Sequence, residues 1–368
     1  MASSSSTPRL AIRNIRAVGV LVPMNYVLGT SAAAVRSAPL LLVDVETEEG
    51  VTGRSYLFCY LPAAARAITT VLGEVLSVVK GDPVTPLELW PKLYKHFKLI
   101  GVQGIVRMAM TAFDVACWDA LAVAAGQPLA TYLGAEPRPV RAYNSCGLGL
   151  MAPDALADEA EKLLAGGFRA LKLRLGYPTL QADLAALRAV RRRVPSDIDI
   201  MVDFNQALSV KEAIARGRAL DAEGGVYWIE EPIRHDDYAG CAKLVRELAT
   251  PIQIGENFSL PAAMEQALAA SACDYVMPDL ERIGGVTGWL RAAELASAQG
   301  LPMSSHLHPE ISVHLLAATP TRHWLEYVDW ANVLLQEPLR IEEGLAMPSA
   351  APGNGLAWNE DAVRRFRI

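Results

Sequence analysis

Residues 170–174 read Ala-Leu-Lys-Leu-Arg, residues 198–203 Ile-Asp-Ile-Met-Val-Asp, and residues 226–231 Val-Tyr-Trp-Ile-Glu-Glu. The pattern continues with Pro-Ile-Gln-Ile-Gly-Glu at 251–256, Tyr-Val-Met-Pro-Asp at 275–279, Pro-Met-Ser-Ser-His at 302–306 and Trp-Leu-Glu at 324–326. Each is a short apolar run that closes on a polar or charged residue. From Lys172 to Glu326 the closing positions are 20 to 31 residues apart by subtraction. A buried parallel strand, a turn and a crossover helix need about that length of chain. Charge at the same end of successive buried strands adds nothing to a core. It is expected at the C-terminal mouth of a parallel barrel, where active sites sit.

Outward from that stretch, Val140–Ser145 supplies a first strand, and 153–165 a first helix stopped by Gly166-Gly167. Helical patterns fill the intervals at 180–193, 210–223, 238–248, 261–270, 285–299 and 310–317. Eight strands with helices between them predict a closed α/β barrel rather than an open sheet. No glycine-rich phosphate fingerprint follows a strand; Gly284-Gly285 reads as a tight turn before a helix.

Before the barrel the pattern differs. Residues 10–22 and 38–58 alternate or run apolar, and Glu48-Glu49-Gly50 reads as a hairpin turn, which predicts an antiparallel meander. Met24–Ser37 is small and polar and reads as a flexible loop of the kind that serves as a lid. Helices are expected at 62–79, 86–97 and 104–125. Residues 1–135 are therefore expected to form an α+β unit and 136–339 the barrel, with 340–368 packing back on the first unit.

Composition bounds the function. The chain has 368 residues, of which 52% are hydrophobic and 20% charged, enough for a large core and two packed units. A net charge of −6 and no basic stripe argue against a nucleic-acid partner. Arg191-Arg192-Arg193 falls at a helix end, where cations suit the dipole. The 5 cysteines are scattered, with no CxxC pair, so a reducing, cytoplasmic setting is expected. The first residues are polar and read as a tail rather than a signal peptide. No charge-free apolar run is long enough for a membrane span.

Asp203, Glu230 and Glu256 close three consecutive strands. Neighbouring strands lie about 4.8 Å apart, so these carboxylates can meet one cation. All-oxygen ligation suits magnesium, and without a cation the three anions would repel. Unrelated surface acids are the plain alternative, but three in register at one face favour a metal site. Lys172 and Arg174 share a strand face. Asp279 and His306 end adjacent strands, and a carboxylate beside an imidazole is how a histidine base is held. The other histidines, His96, His235, His308, His314 and His323, have no such partner in sequence and read as structural. Glu326, across the rim, would donate to a developing enolate oxygen if protonated. The chemistry assembled is α-proton abstraction from a carboxylate through an enediolate.

Val202-Asp203-Phe204-Asn205-Gln206, Trp228-Ile229-Glu230-Glu231-Pro232, Met277-Pro278-Asp279, Ser304-Ser305-His306-Leu307 and Ile283-Gly284-Gly285-Val286-Thr287-Gly288-Trp289 carry a resemblance. They look like the mandelate racemase subgroup of the enolase superfamily. The resemblance implies a modified (β/α)7β TIM barrel with an N-terminal α+β capping domain. By the same resemblance Asp203, Glu230 and Glu256 match magnesium ligands, and Asp279–His306 the dyad base. Lys172 matches the lysine that touches a substrate carboxylate, and Glu326 the acid on its other oxygen. Ser145 and Asn205 match substrate-contacting positions, while Leu28, Val35 and Tyr60 match the cap-loop residues that shape the pocket. Arg36, in that loop, is a further candidate substrate contact. A homo-oligomer, an octamer in that subgroup, is implied.

Two positions depart: Cys146, next to Ser145, replaces a histidine and reads as packing, and Arg174 is the departure that matters. Arg174 stands where the subgroup carries a second lysine base, and arginine keeps its proton. The resemblance favours a racemase of mandelate-like 2-hydroxy acids, the substrate being a small carboxylate. Arg174 favours the alternative, a one-base aldonate or aldarate dehydratase using His306–Asp279. A non-catalytic barrel is the third reading, opposed by the intact acidic set.

Overall fold

The computed structural model describes residues 9–31 and 34–368. The polar N-terminal tail and Ala32-Ala33 of the expected loop lie outside the described residues.

The chain opens with an antiparallel sheet in the order β1 (Ile12–Gly29), β2 (Ala34–Thr47), β3 (Thr52–Phe58). The β2–β3 turn is the expected one, with Gly50 at φ 82°. The expected loop at Met24–Ser37 is corrected: β1 runs on to Gly29 and β2 starts at Ala34, with Leu28 paired to Val35. A register shift between the Pro23 and Leu28 pairs absorbs the irregular composition that reads as loop. The run Leu40-Leu41-Leu42-Val43 does not alternate because both faces of β2 are buried. Leu41 and Val43 pack with the cap helices, whereas Leu40 and Leu42 join the barrel-side core.

Three helices follow, α1 (Pro62–Val79), α2 (Pro86–Phe97) and α3 (Gly104–Ala124). Among the described residues α1 is the one helix long and apolar enough to cross a membrane. Its stripe of Ala65, Ile68, Leu72, Val75 and Val79 is buried in the cap core. α3 lies so close to β3 that a Cβ on Gly53 would sit 1.9 Å from the Ala116 carbonyl oxygen.

The barrel strands are β4 (Val140–Asn144), β5 (Ala170–Arg174), β6 (Asp199–Asp203), β7 (Val226–Glu230), β8 (Ile252–Ile254) and β9 (Tyr275–Val276), parallel and in sequence order. Val276 bridges Met303, Met303 bridges Arg322, and β10 (Leu325–Tyr327) pairs with β4, which closes the ring. Helices cover the outside at the expected intervals, since their apolar stripes must bury against the strands. Tyr143, Ala170, Met201, Trp228 and Trp324 fill the interior and make a solid floor. The last residues reach both units: Leu345–Met347 pairs with β4, and the Ile368 N–H donates to the Gly19 carbonyl.

Candidate active site

Period-two alternation turns Lys172 and Arg174 on β5, Asp203 on β6 and Glu230 on β7 into the barrel above that floor. The backbone turns sharply where the strands end. Asn205, Gln206, Glu231, Leu307 and His308 all have positive φ, between 39° and 64°. Such strain in non-glycine residues clusters at functional sites.

One ligand oxygen each from Asp203, Glu230 and Glu256 lie within 4.8 Å of one another. Glu231, next to Glu230, instead accepts from the Gly255 N–H at 3.0 Å and takes no part in that set. Burial and the neighbouring carboxylates push Glu230 up to about 8 against the pull of Lys172. The Asn205 side-chain oxygen is buried beside Asp203 with no donor among the described residues. A crowded all-oxygen set short of positive charge fits magnesium.

Lys172 Nζ lies 2.7 Å from Glu230, 2.6 Å from Glu326 and 3.4 Å from Asp203. Burial would lower its pKa, but these carboxylates hold it above the ordinary value. In the sequence reading Glu326 donates only if it is protonated, and its surroundings oppose that. Burial would raise its pKa, yet Lys172 and His306 hold it well below the usual range, so it is a carboxylate that accepts from the Leu307 N–H at 2.9 Å.

His306 Nδ1 is 2.6 Å from Asp279 Oδ2, and Nε2 is 3.3 Å from Glu256 Oε2. Asp279 Oδ1 in turn accepts from the N–H groups of Glu281 and Arg282. Burial opposes a charge on the imidazole, but Glu326, Glu256 and Asp279 push its pKa up to about 9.

Arg174 is 4% exposed. Its Nη1 donates to the Gly147 carbonyl at 2.7 Å and the Ser145 carbonyl at 3.2 Å, and its Nη2 to Ser145 Oγ at 3.1 Å.

These groups share a cavity of about 280 Å³ under the cap. Leu28, Val35 and Tyr60 line it, as expected from sequence, together with Asn205. Ser145 is buried beneath Arg174 and does not line it. Arg36 is corrected: it is exposed and off the cavity, because alternation along β2 turns it away from the side that Val35 faces. Sequence reasoning missed Phe58, Leu307 and Trp330 on the apolar wall, and Thr30, Gln206, Asn257 and Arg282 on the polar one. Arg282 had a signal, a cation one turn past a strand-end acid; Trp330 had none. His308, read from sequence as structural, is buried and has Glu281 3.1 Å from its Nε2, a partner distant in sequence. A larger cavity of about 580 Å³ along the C-terminal segment shares no residue with the acidic set.

The fold and this site define a magnesium-dependent enzyme of the enolase superfamily. Residues 13–134 match the N-terminal domain model of mandelate racemase / muconate lactonizing enzyme, and residues 155–362 match the enolase C-terminal domain-like model. The chain belongs to the mandelate racemase / muconate lactonizing enzyme family. It is 32% identical to L-talarate/galactarate dehydratase of Salmonella typhimurium over 88% of this chain and 82% of that one. It is 31% identical to 3,6-anhydro-alpha-L-galactonate cycloisomerase of Streptomyces coelicolor, over 89% and 91% of the two chains. The structure of an enolase from Bradyrhizobium complexed with magnesium and mandelic acid is similar at a TM-score of 0.92. That protein is 39% identical, with 99% of this chain and 100% of that one covered.

Proposed function

We propose that this enzyme is an acid-sugar dehydratase that works with one base, His306. The observation that carries this reading is the state of Arg174. Its guanidinium is held by the Gly147 and Ser145 carbonyls and the Ser145 hydroxyl, so it is a fixed donor with no lone pair for a proton. The similarity to dehydratases and cycloisomerases of acid sugars supports the same reading.

Asp203, Glu230 and Glu256 would hold the magnesium, which when bound supplies Lewis-acid stabilisation for charge developing on the substrate carboxylate. Lys172 adds a permanent cation to that end of the cavity. Asp279 fixes the His306 tautomer, leaving Nε2 to take the α-proton. The electron pair from the broken Cα–H bond forms the Cα–Cβ double bond of an enol as the β-hydroxyl leaves. The proton on Nε2 goes to that hydroxyl, which departs as water, and the enol tautomerises to a 2-keto-3-deoxy acid. Asn205, Gln206, Asn257 and Arg282 offer polar partners to the remaining hydroxyls. The 5 buried, unpaired cysteines support a cytoplasmic setting for this enzyme.

The second reading is a racemase of aryl 2-hydroxy acids. The apolar wall of Leu28, Val35, Phe58, Leu307 and Trp330, and the likeness to the mandelic acid complex, favour it. Incubation with magnesium in heavy water, against a panel of aldonates, aldarates and mandelate, separates the two. A keto-deoxy acid formed from one α-configuration is the expected result. Deuterium entering both enantiomers of mandelate, without elimination from any sugar acid, overturns it.

A further inference from the structure

Behind the dyad, Asp279 shares a second buried group of charges with Glu281 and His308, two residues that the proton-transfer steps above do not use. Asp279, Glu281 and His308 are each at most 2% exposed, and their ligand-type atoms lie within 4.8 Å of one another. His308 Nε2 is 3.1 Å from Glu281 Oε1. The contact is electrostatic, since neither ring nitrogen makes an aligned hydrogen bond among the described residues. Burial opposes a charge on His308, but Glu281, Asp279 and Glu310 hold its pKa above the ordinary value.

Glu281 is tied to the cap twice. Its carboxylate accepts from the Phe58 N–H at the end of β3, and its carbonyl accepts from Thr111 Oγ1 of α3 at 3.1 Å. It is tied to the dyad once, and directly, through its N–H, which donates to Asp279 Oδ1 at 2.7 Å. The other oxygen of that carboxylate holds His306 at 2.6 Å. A continuous path therefore runs from the Phe58 backbone through Glu281 and Asp279 to His306. The same end of β3 delivers the Phe58 and Tyr60 side chains to the cavity wall. Tyr60 sits at φ 59°, a strained setting for a bulky residue.

We propose that Glu281 and His308 are positioning residues: together they lock the cap strand that forms the substrate wall to the Asp279–His306 base. The proposal rests on reading His306 as the base. Glu281 fixes Asp279 through its N–H, and His308 fixes the Glu281 carboxylate where the Phe58 N–H can reach it. A group held about 1 Å out of line can lose about 10²-fold in rate, so a link of this kind matters to the chemistry.

The test uses the full-length, magnesium-loaded protein labelled with ¹⁵N-histidine. The probe is the low-field proton resonance of His306 Nδ1–H, identified by its loss in His306→Asn. Glu281→Gln is isosteric, and His308→Asn suits the left-handed backbone at φ 49°. Both are expected to move that resonance. On the acid that turns over in heavy water, both should lower kcat about 10- to 100-fold with little change in KM. Tyr56→Phe alone is no control for this path. Because the Tyr56 ring packs against His308 at 4.9 Å, that variant is paired with Ser55→Ala, which removes a 2.7 Å hydrogen bond from the same strand to the Ala112 carbonyl, outside the path, and should cost stability while leaving the resonance in place. An unmoved resonance in Glu281→Gln and His308→Asn overturns the proposal, as does loss of folding in both. Normal turnover by His306→Asn would instead sink the base assignment itself.

Discussion

Arg174 donates to the carbonyl oxygen of Gly147 across 2.7 Å. A lysine at the same position would keep a charge on β5 but lose the fork that engages Ser145 and Gly147 together. Unlike arginine, it can give up its proton in a buried site. Arg174→Lys is expected to introduce α-proton exchange from the configuration that the wild type leaves untouched. The gain should be about 10²-fold over the wild-type background, the scale of a positioned general base. Chiral analysis of deuterated substrate reads this out, and no gain would mean that position 174 is not what restricts the enzyme to one face.

His306→Asn removes the proton acceptor while leaving Asp203, Glu230 and Glu256 in place. Turnover and exchange should fall by at least about 10²- to 10⁴-fold. Magnesium binding, followed by calorimetry, should persist. Retained exchange would show that the proton leaves by another route.

Trp228 Nε1 donates to Glu230 Oε2 at 3.1 Å from two residues back on β7. Trp228→Phe keeps an aromatic ring in the barrel floor but leaves that oxygen only the longer, 3.5 Å donor Gln253 Nε2. Partners that orient a metal ligand are typically worth about 10- to 100-fold in affinity, and a weakening on that scale is expected here for magnesium. An unchanged Kd in a magnesium titration would rule out the orienting effect. A chelator should reversibly remove activity from wild type and variant, the variant at the lower chelator concentration.

Asp114 on α3 accepts from the Thr287 N–H and hydroxyl across the cap–barrel boundary. Burial raises its pKa to about 7 despite those bonds. A folded-state pKa above the unfolded value means that the native state holds the proton more tightly. The stabilising contribution is thus complete below about pH 4 and is lost as pH rises through about 7, by up to about 4 kcal/mol if that whole shift is expressed. Asp114→Asn cannot titrate, so its stability relative to wild type should rise between pH 5 and pH 8, as about this linkage requires. Denaturation curves at the two pH values check it, and a pH-independent difference would refute it.

Much of this was legible because buried parallel strands and amphipathic helices leave strong patterns. The residues that close the apolar runs, Asp203, Glu230, Glu256, Asp279 and His306, do meet at one mouth. Asp203 and Glu230 end β6 and β7, while Glu256 and Asp279 lie in the turns just past β8 and β9, so the spacing of the apolar runs exposes them all. The extension of β1 through Gly29 was hidden, because its backbone pairing with β2 does not depend on side-chain pattern. Arg36 was misjudged because proximity in sequence to Val35 says nothing about the opposite face of a strand. The Glu281–His308 pair and the Phe58–Glu281 bond join residues 27 and 223 positions apart, brought together only by barrel closure and cap docking. Likewise Glu326 reads as a candidate acid until the position of Lys172, 2.6 Å away, is known.

The ring closes where β10 pairs with β4, joining Leu325–Tyr327 to Ala142–Asn144. On a ribosome the first of these strands is made long before the last. At about 5–20 residues per second the gap is about 10–40 s. For that interval one edge of β4 has no native neighbour and is open to pairing with another nascent chain. Conditions that shorten that interval or shield the edge during synthesis should therefore raise the yield of folded barrel.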